Sequence, residues 1–359
     1  MAGNSFGTVF KLTSFGESHG KAIGGILEGC PAGLDIDLSY IQSELDKRRP
    51  GGTAIGTDRN EADAVEILSG LYEGKSTGTP IGFIILNKDS KSSDYDRLKD
   101  VFRPSHADYT YAEKYEIRDH RGGGRASARE TAVRVAAGAI AKLLIRKNGI
   151  EINGFVSSIG ECIMKKHYSE VDLNDTYKSA VRCPDKHLES FMINLLDKMK
   201  KEGESVGGII TTVVKGMPTG LGEPVFDKLQ AVLAHAVMSI NAVKGFDYGS
   251  GFASTLMTGS VHNDEMRMKE GRVDFKSNFS GGIQGGISNG QDIYFRAAFK
   301  PVASIAKSQK TINSEGENVD LEISGRHDPC VVPRAVAIVE AMTALVMADF
   351  LLLSKLNKI

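Results

Sequence analysis

Residues 335–353 form an almost unbroken run of apolar side chains, and a helix of that composition needs apolar surroundings on every side. A bilayer meets that demand, and so does the space between two layers of a folded protein. Glu340 and Asp349 interrupt the run, so it is read as a helix buried between layers, with no membrane partner. A second core helix is predicted over residues 127–145, where Ala128, Ala132, Val135, Ala136, Ala139, Ile140 and Leu143 recur at helical spacing. Its alanines permit close approach of a neighbouring helix. Residues 8–15, 65–68, 81–87, 152–159, 207–214 and 293–298 read as strands, the second and third in hairpin-like organisation. Residues 38–45, with Ser39 near the start, 189–201 and 224–238 read as helices, and the polar stretch 88–99 as a mobile loop. Strands and helices come in blocks rather than as regular βαβ units, which favours α+β with helices packed on sheets over a doubly wound parallel sheet.

A chain of 359 residues suits one large domain or two intimate ones. Gly124-Arg-Ala-Ser-Ala-Arg before one alanine-rich helix, and Gly325-Arg-His-Asp-Pro before the other, point to an old internal duplication. Lys+Arg number 44 and Asp+Glu 45, a net charge of -1, which offers no global field for nucleic acid, so any anion recognition is local. Cys30, Cys162, Cys183 and Cys330 form no CxxC pair, which argues for a reducing compartment and against a metal centre. Polar Asn4, Ser5, Lys11 and Thr13 break the apolar run that an export signal needs, so the expected location is cytoplasmic.

The local anion site is legible between residues 103 and 129. Arg103, Arg118, Arg121, Arg125 and Arg129 converge there with His106, His120 and the triple glycine Gly122, Gly123 and Gly124. Guanidinium forks suit phosphate and carboxylate oxygens, glycines let backbone N–H groups approach a ligand, and Ser127 opens a helix whose N-terminus favours an anion. Similar glycine-rich loops occur at 239–246 and 278–290.

The pentapeptide beginning Gly16-Glu-Ser-His-Gly matches the G-x-S-x-G elbow of serine hydrolases. Context argues against that use of Ser18: glycines follow where the elbow needs a helix, and in extended backbone Ser18 and His19 point to opposite faces.

Together Gly16-Glu-Ser-His-Gly, Arg103-Pro-Ser-His-Ala-Asp, Arg121-Gly-Gly-Gly-Arg-Ala-Ser-Ala-Arg-Glu-Thr and Gly325-Arg-His-Asp-Pro-Cys closely resemble the chorismate synthase family along nearly the whole chain. That resemblance implies helices sandwiched between antiparallel β-sheets in one domain over 1–359, a cytoplasmic homotetramer, and reduced FMN as cofactor. The implied enzyme is a lyase that eliminates phosphate and a ring hydrogen from 5-enolpyruvylshikimate 3-phosphate to give chorismate, within aromatic amino acid biosynthesis. NADPH enters only indirectly, as a source of reduced flavin.

By the same resemblance FMN contacts fall on Arg125, Ala126, Ser127, Asn241, Ala242, Gly285, Lys300, Pro301, Val302, Ala303, Ser304 and Arg326. His19 serves the substrate phosphate, His106 the flavin pyrimidine edge and Asp328 the region of flavin N5, with Ser18 and Ser127 as supporting hydrogen-bonders. Arg48, Arg103 and Arg129 bind the anionic substrate; the Arg48 loop is also associated with NADP, and Ala54 stands where many members carry arginine. His327 is adjacent to Asp328 without an independent role, and His120, His167, His187, His235 and His262 read as structural. The alternatives are a serine hydrolase built on Ser18 and a non-catalytic flavin- or phosphoanion-binding protein.

Overall fold

Two antiparallel sheets enclose a double layer of helices in the computed structural model, which describes residues 3–49, 63–87, 98–323 and 328–357. Ala54, most of the 88–99 loop, Arg326 and His327 lie outside the described residues. The first sheet comprises β1 (Ser5–Phe6), β2 (Lys11–Gly16), β3 (Ala22–Glu28), β4 (Val65–Ile67) and β5 (Ile81–Leu86), in the order β1-β2-β3-β5-β4. The second comprises β6 (Glu151–Ile159), β7 (Cys162–Ile163), β8 (Gly208–Lys215), β9 (Val243–Tyr248) and β10 (Ile293–Phe299), in the order β9-β10-β8-β6-β7. Alternation turns one face of each sheet inward: in β10 Ile293, Phe295, Ala297 and Phe299 are buried and the residues between them are half-buried.

Among the described residues, the helices of two turns or more are α1 (Leu38–Arg48), α2 (Asp108–Tyr115), α3 (Thr131–Arg146), α4 (Lys186–Lys201), α5 (Leu229–Met238) and α6 (Val332–Leu353). Helix α3 packs on the first sheet and α6 on the second, and the two pack against each other. Their contact is as close as backbones allow, since a Cβ on Gly138 would lie 2.4 Å from the Ala341 Cβ. Glycines also bring the sheets in: a Cβ on Gly25 of β3 would meet Val133 at 2.8 Å, and one on Gly154 of β6 would meet Val336 and Glu340 at 3.1 Å. By length and composition α6 with its extension is the one helix among the described residues that can cross a membrane, yet it is buried almost throughout between the layers.

The two carboxylates that interrupt α6 both have internal partners. Glu340 accepts from Lys142 Nζ at 2.7 Å, Gly154 N at 2.8 Å and the Tyr177 hydroxyl at 3.0 Å. Lys142 of α3 also donates to Glu44 of α1 at 2.6 Å, so one buried ammonium joins three helices. Asp349 accepts from the backbone N–H groups of Thr8, Val9 and Phe10 at 2.7–2.8 Å. That capture explains why the first long strand begins at Lys11 rather than residue 8: those three donors face α6 instead of a strand partner.

Other boundaries differ for local reasons. Asp37, not Ser39, caps α1, its side chain accepting from Ser39 N and Tyr40 N, and the helix runs on through Lys47 and Arg48. Helix α5 starts at Leu229 rather than residue 224, because Val225 has φ of 66°, a left-handed conformation no α-helix contains. The hairpin-like reading of 65–68 and 81–87 corresponds to direct β4–β5 pairing, Val65 opposite Ile85. Helix α2 has no counterpart in the sequence reading.

Burial alone would raise the Glu44 carboxyl, but the ammonium groups of Lys142 and Lys47 outweigh it and hold it at about 2. Lys142→Met leaves buried Glu340 without a cation and Glu44 with Lys47 alone, and is expected to lower unfolding free energy by about 3–5 kcal/mol, read from urea denaturation. Because the folded value lies below the ordinary 4.5, the stabilisation from Glu44 is complete above that pH and fades as pH falls through about 2. The gap between wild type and Lys142→Met should narrow over that interval.

Candidate functional site

The first sheet delivers the Gly16-Glu-Ser-His-Gly segment at the β2–β3 connection, where it forms a turn closed by Gly20 N donating to Glu17 O at 3.0 Å. It is therefore not extended, and the alternation argument that separated Ser18 from His19 does not apply to it. Another observation weighs against the hydrolase reading: among the described residues the buried Ser18 Oγ has no hydrogen-bond partner, so none of them is placed as a base to activate it. Asn87, just beyond β5, pins the turn, its amide nitrogen donating to Glu17 O at 2.9 Å and Gly20 O at 2.8 Å.

Three consecutive left-handed glycines face this turn. Gly122, Gly123 and Gly124 have φ of 62°, 83° and 52°. A Cβ on Gly122 would stand 2.8 Å from His19 Cε1, one on Gly123 3.0 Å from His106 Cε1, and one on Gly124 2.7 Å from Glu17 Oε2. The glycines thus make room for side chains of the protein itself, and they seat the two histidines side by side. Ala126 N and Ser127 N are bonded to Gly123 O and Gly124 O, and Ser127 Oγ caps the following turn by accepting from Arg129 N at 3.3 Å.

All five arginines between 103 and 129 have internal acceptors. Asp108, nearly fully buried at the start of α2, accepts from Arg103 Nε at 2.7 Å, Arg103 Nη2 at 2.8 Å and Arg103 N at 3.1 Å. His106 Nδ1 lies 2.9 Å from Asp108 Oδ1, and Arg118 pairs with the same oxygen at 3.3 Å. Burial alone would raise the Asp108 carboxyl, but hydrogen bonds from Arg103 and His106 hold it far below the carboxylate range. Arg121 pairs with Asp119, and Arg125 binds Ser14 Oγ at 2.7 Å and Gly16 O at 3.2 Å. Arg129 donates to Asn87 Oδ1 at 2.9 Å and to Asp63.

Asp63 is shared. Arg48 Nη2 reaches its other oxygen at 2.5 Å, so two guanidiniums flank one buried carboxylate. Burial would raise Asp63, and Arg48 and Arg129 outweigh it to hold it below the usual range. Arg334 of α6 donates to Arg48 O at 3.2 Å and pairs with Asp328, which brings the start of α6 to the same cluster.

A cavity of about 620 Å³ opens between Glu17, His106, Tyr111 and Arg125. A second of about 370 Å³ shares Arg125, Ala126 and Tyr111 with it and extends to Asn241, Arg134 and His235. Asn241 donates to Ala126 O at 2.8 Å, while its buried Oδ1 has no partner. Ala242 is left-handed at φ 70°, and its carbonyl accepts from Lys300 N at 2.9 Å. Lys300 Nζ reaches Ser105 O at 3.3 Å beside His106, and burial and Lys244 push its ammonium down. Val302 O accepts from Ser205, and Pro301, Val302, Ala303 and Ser304 line neither cavity. Gly285 sits at the tip of the short hairpin of Ile283–Gln284 and Ile287–Ser288 and lines neither cavity.

Sequence reasoning passed over four contributors. Asp63, Asn87 and Asp108 bind the arginines and the turn, and His235 lines the second cavity with its ring edge-on to Phe6 at 5.5 Å. Asp108 alone had a signal, standing in Arg103-Pro-Ser-His-Ala-Asp five residues after the arginine that it holds.

The profile of the family described as chorismate synthase matches residues 10–352. A chorismate synthase of Christiangramia forsetii is 58% identical over 359 residues, with 100% of both chains covered. One from Azobacteroides pseudotrichonymphae is 58% identical over 350 residues, 97% of this chain and 99% of that one. A crystal structure titled as chorismate synthase superposes with a TM-score of 0.78 at 33% identity, covering 96% of this chain and 91% of the other. Sequence, profile and fold agree over nearly the full length, and the chain belongs to the chorismate synthase family.

Proposed function

We propose that the protein converts 5-enolpyruvylshikimate 3-phosphate to chorismate and inorganic phosphate, with reduced FMN held in the paired cavities. The observation that carries this reading is the seating of His19 and His106 on adjacent glycines, beside the cavity lined by Arg125 and linked through Asn87 to the Arg48–Asp63–Arg129 cluster. The residues fit the cofactor: the cavities are of ligand size, and Asn241 Oδ1 is a buried acceptor still lacking a donor. Arg125, Ala126 and Asn241, which line the cavities, would hold it; Ser127, Ala242, Gly285, Lys300, Pro301, Val302, Ala303, Ser304 and Arg326 belong to the proposal on resemblance alone.

When bound, reduced flavin supplies the electron movement that a weakly acidic ring hydrogen needs and a protein base cannot provide alone. His19 donates a proton to the departing phosphate, and the unpartnered Ser18 hydroxyl donates on the same side. By the family resemblance His106 would serve the flavin's pyrimidine edge and Asp328 its N5 region. Arg48 and Arg129 share one carboxylate between two cations, which leaves positive charge for the substrate's anionic groups. Arg103, neutralised by Asp108, adds directional hydrogen bonding more than net charge. NADPH acts only as a source of reduced flavin. We read 1–359 as one duplicated domain, each five-stranded sheet backing one long helix. A cytoplasmic homotetramer is part of the proposal, and Phe226, Phe252 and Leu256, each at least 80% exposed, are apolar surface that association would cover.

Under anaerobic conditions phosphate release from this substrate should require reduced FMN and be absent with oxidised FMN. A protein that binds FMN without releasing phosphate would instead be the non-catalytic alternative, and equal turnover without flavin would end the cofactor assignment.

His19→Ala and His106→Ala should each slow turnover by about 10²- to 10⁴-fold without unfolding the protein, but differently. The first should alter substrate binding and the pH profile of phosphate release, and the second the spectrum of bound reduced flavin before substrate is added. Light scattering at micromolar protein should give a tetramer, and monomer alone would contradict the assembly.

A further inference from the structure

We propose that Asp108 is a positioning residue that fixes His106 as its Nδ1–H tautomer and aims Nε2 at the site. The inference begins with donors and acceptors. Asp108 Oδ1 stands 2.9 Å from His106 Nδ1, and a carboxylate held ionised by Arg103 has no hydrogen to give. The hydrogen in that contact therefore sits on Nδ1. Arg103 Nη2 is also 3.0 Å from Nδ1 and carries two hydrogens, one of them given to Asp108 Oδ1 at 2.8 Å, so the choice between tautomers turns on the shorter 2.9 Å contact of Nδ1 with a carboxylate oxygen that can only accept. An Nε2–H tautomer would set the Nδ1 lone pair against the carboxylate oxygen.

The carboxylate is itself immobile. Asp108 is 3% exposed, opens α2, and takes two hydrogen bonds from the Arg103 side chain, one from the Arg103 backbone and an ion pair from Arg118. The imidazole is clamped on its other side by Gly123, where a Cβ would lie 3.0 Å from Cε1 and 3.4 Å from Nε2. Tautomer, ring plane and direction of Nε2 are thus set by one carboxylate and one missing methyl, as second-layer acceptors set histidines in metal and hydrolase sites. The arrangement deepens the proposed reaction and rests on it only for the kinetic readout.

The test begins with wild-type holoprotein labelled with ¹⁵N-histidine, where two-bond ¹H–¹⁵N correlations distinguish the tautomers, His106→Ala giving the assignment. An Nδ1–H pattern is expected, and an Nε2–H pattern for neutral His106 would overturn the proposal. Asp108→Asn, whose amide can donate to Nδ1, should shift the pattern toward Nε2–H while thermal melting shows the protein folded. The same variant should lower kcat for phosphate release by about 10- to 100-fold with KM little changed. In a His106→Ala background it should add almost nothing, whereas the same loss in both backgrounds would assign Asp108 to Arg103 or to stability alone. Should Asp108→Asn fail to fold, the wild-type nitrogen pattern still decides. Absence of phosphate release by the wild type would remove the proposed reaction and leave the Asp108–His106 inference to stand or fall on that pattern.

Discussion

The contact between α3 and α6 is the constraint on which the rest depends. Gly138 lies against Ala341 with no space for a methyl group, and one turn further along α3 Lys142 meets Glu340. Steric fit and charge pairing therefore specify the same register, because a slip of one residue would produce both a clash and a buried Glu340 carboxylate parted from its cation. The sheets are brought to this helix pair by glycines of their own, Gly25 on one side and Gly154 on the other. Four layers are indexed to one another by places where a side chain is missing.

The site inherits that indexing. The glycine cradle leads through two short 3-10 turns, Gly124–Ala126 and Ala128–Glu130, into α3, so the axial position of α3 against α6 bears on where Gly122, Gly123 and Gly124 meet the β2–β3 turn. Arg334 on α6 and Arg48 at the end of α1 meet near Arg129, so three helix ends converge on the arginine cluster. Asn87 then ties that cluster to the turn carrying Ser18 and His19, using its oxygen for Arg129 and its amide for two turn carbonyls. A site assembled from distant segments is held here by short polar links rather than by apolar packing.

Much of this was legible. Alanine spacing announced α3, and the carboxylates within the apolar run announced that α6 is buried, although neither Lys142 nor the N–H groups of residues 8–10 could be named as their partners. Periodicity reports which face of an element is buried and nothing about what lies opposite. The same limit applied at the site: five arginines in one stretch signalled anion chemistry, but their acceptors Asp63, Ser14 and Asn87 come from other elements. The glycines were read as openings for a ligand's approach; Gly123 and Gly124 do line the larger cavity, but all three also make room for His19, His106 and Glu17, which the sequence did not announce. A positive φ is suggested by sequence; the occupant of the vacated space is decided by tertiary structure.

The grip of Asp349 on the N–H groups of Thr8, Val9 and Phe10 couples the chain's first sheet to its last helix. Translation supplies the N-terminal end first, so β1 and β2 emerge long before the carboxylate that satisfies the backbone beside them. The backbone N–H groups between β1 and β2 thus lack their acceptor until Asp349 has been made. A message cut short, or a ribosome stalled within the last helix, releases a chain that holds every residue of the glycine cradle yet lacks the anchor for the sheet that faces it. One carboxylate on α6 thus ties the first sheet's edge to a segment made more than three hundred residues later.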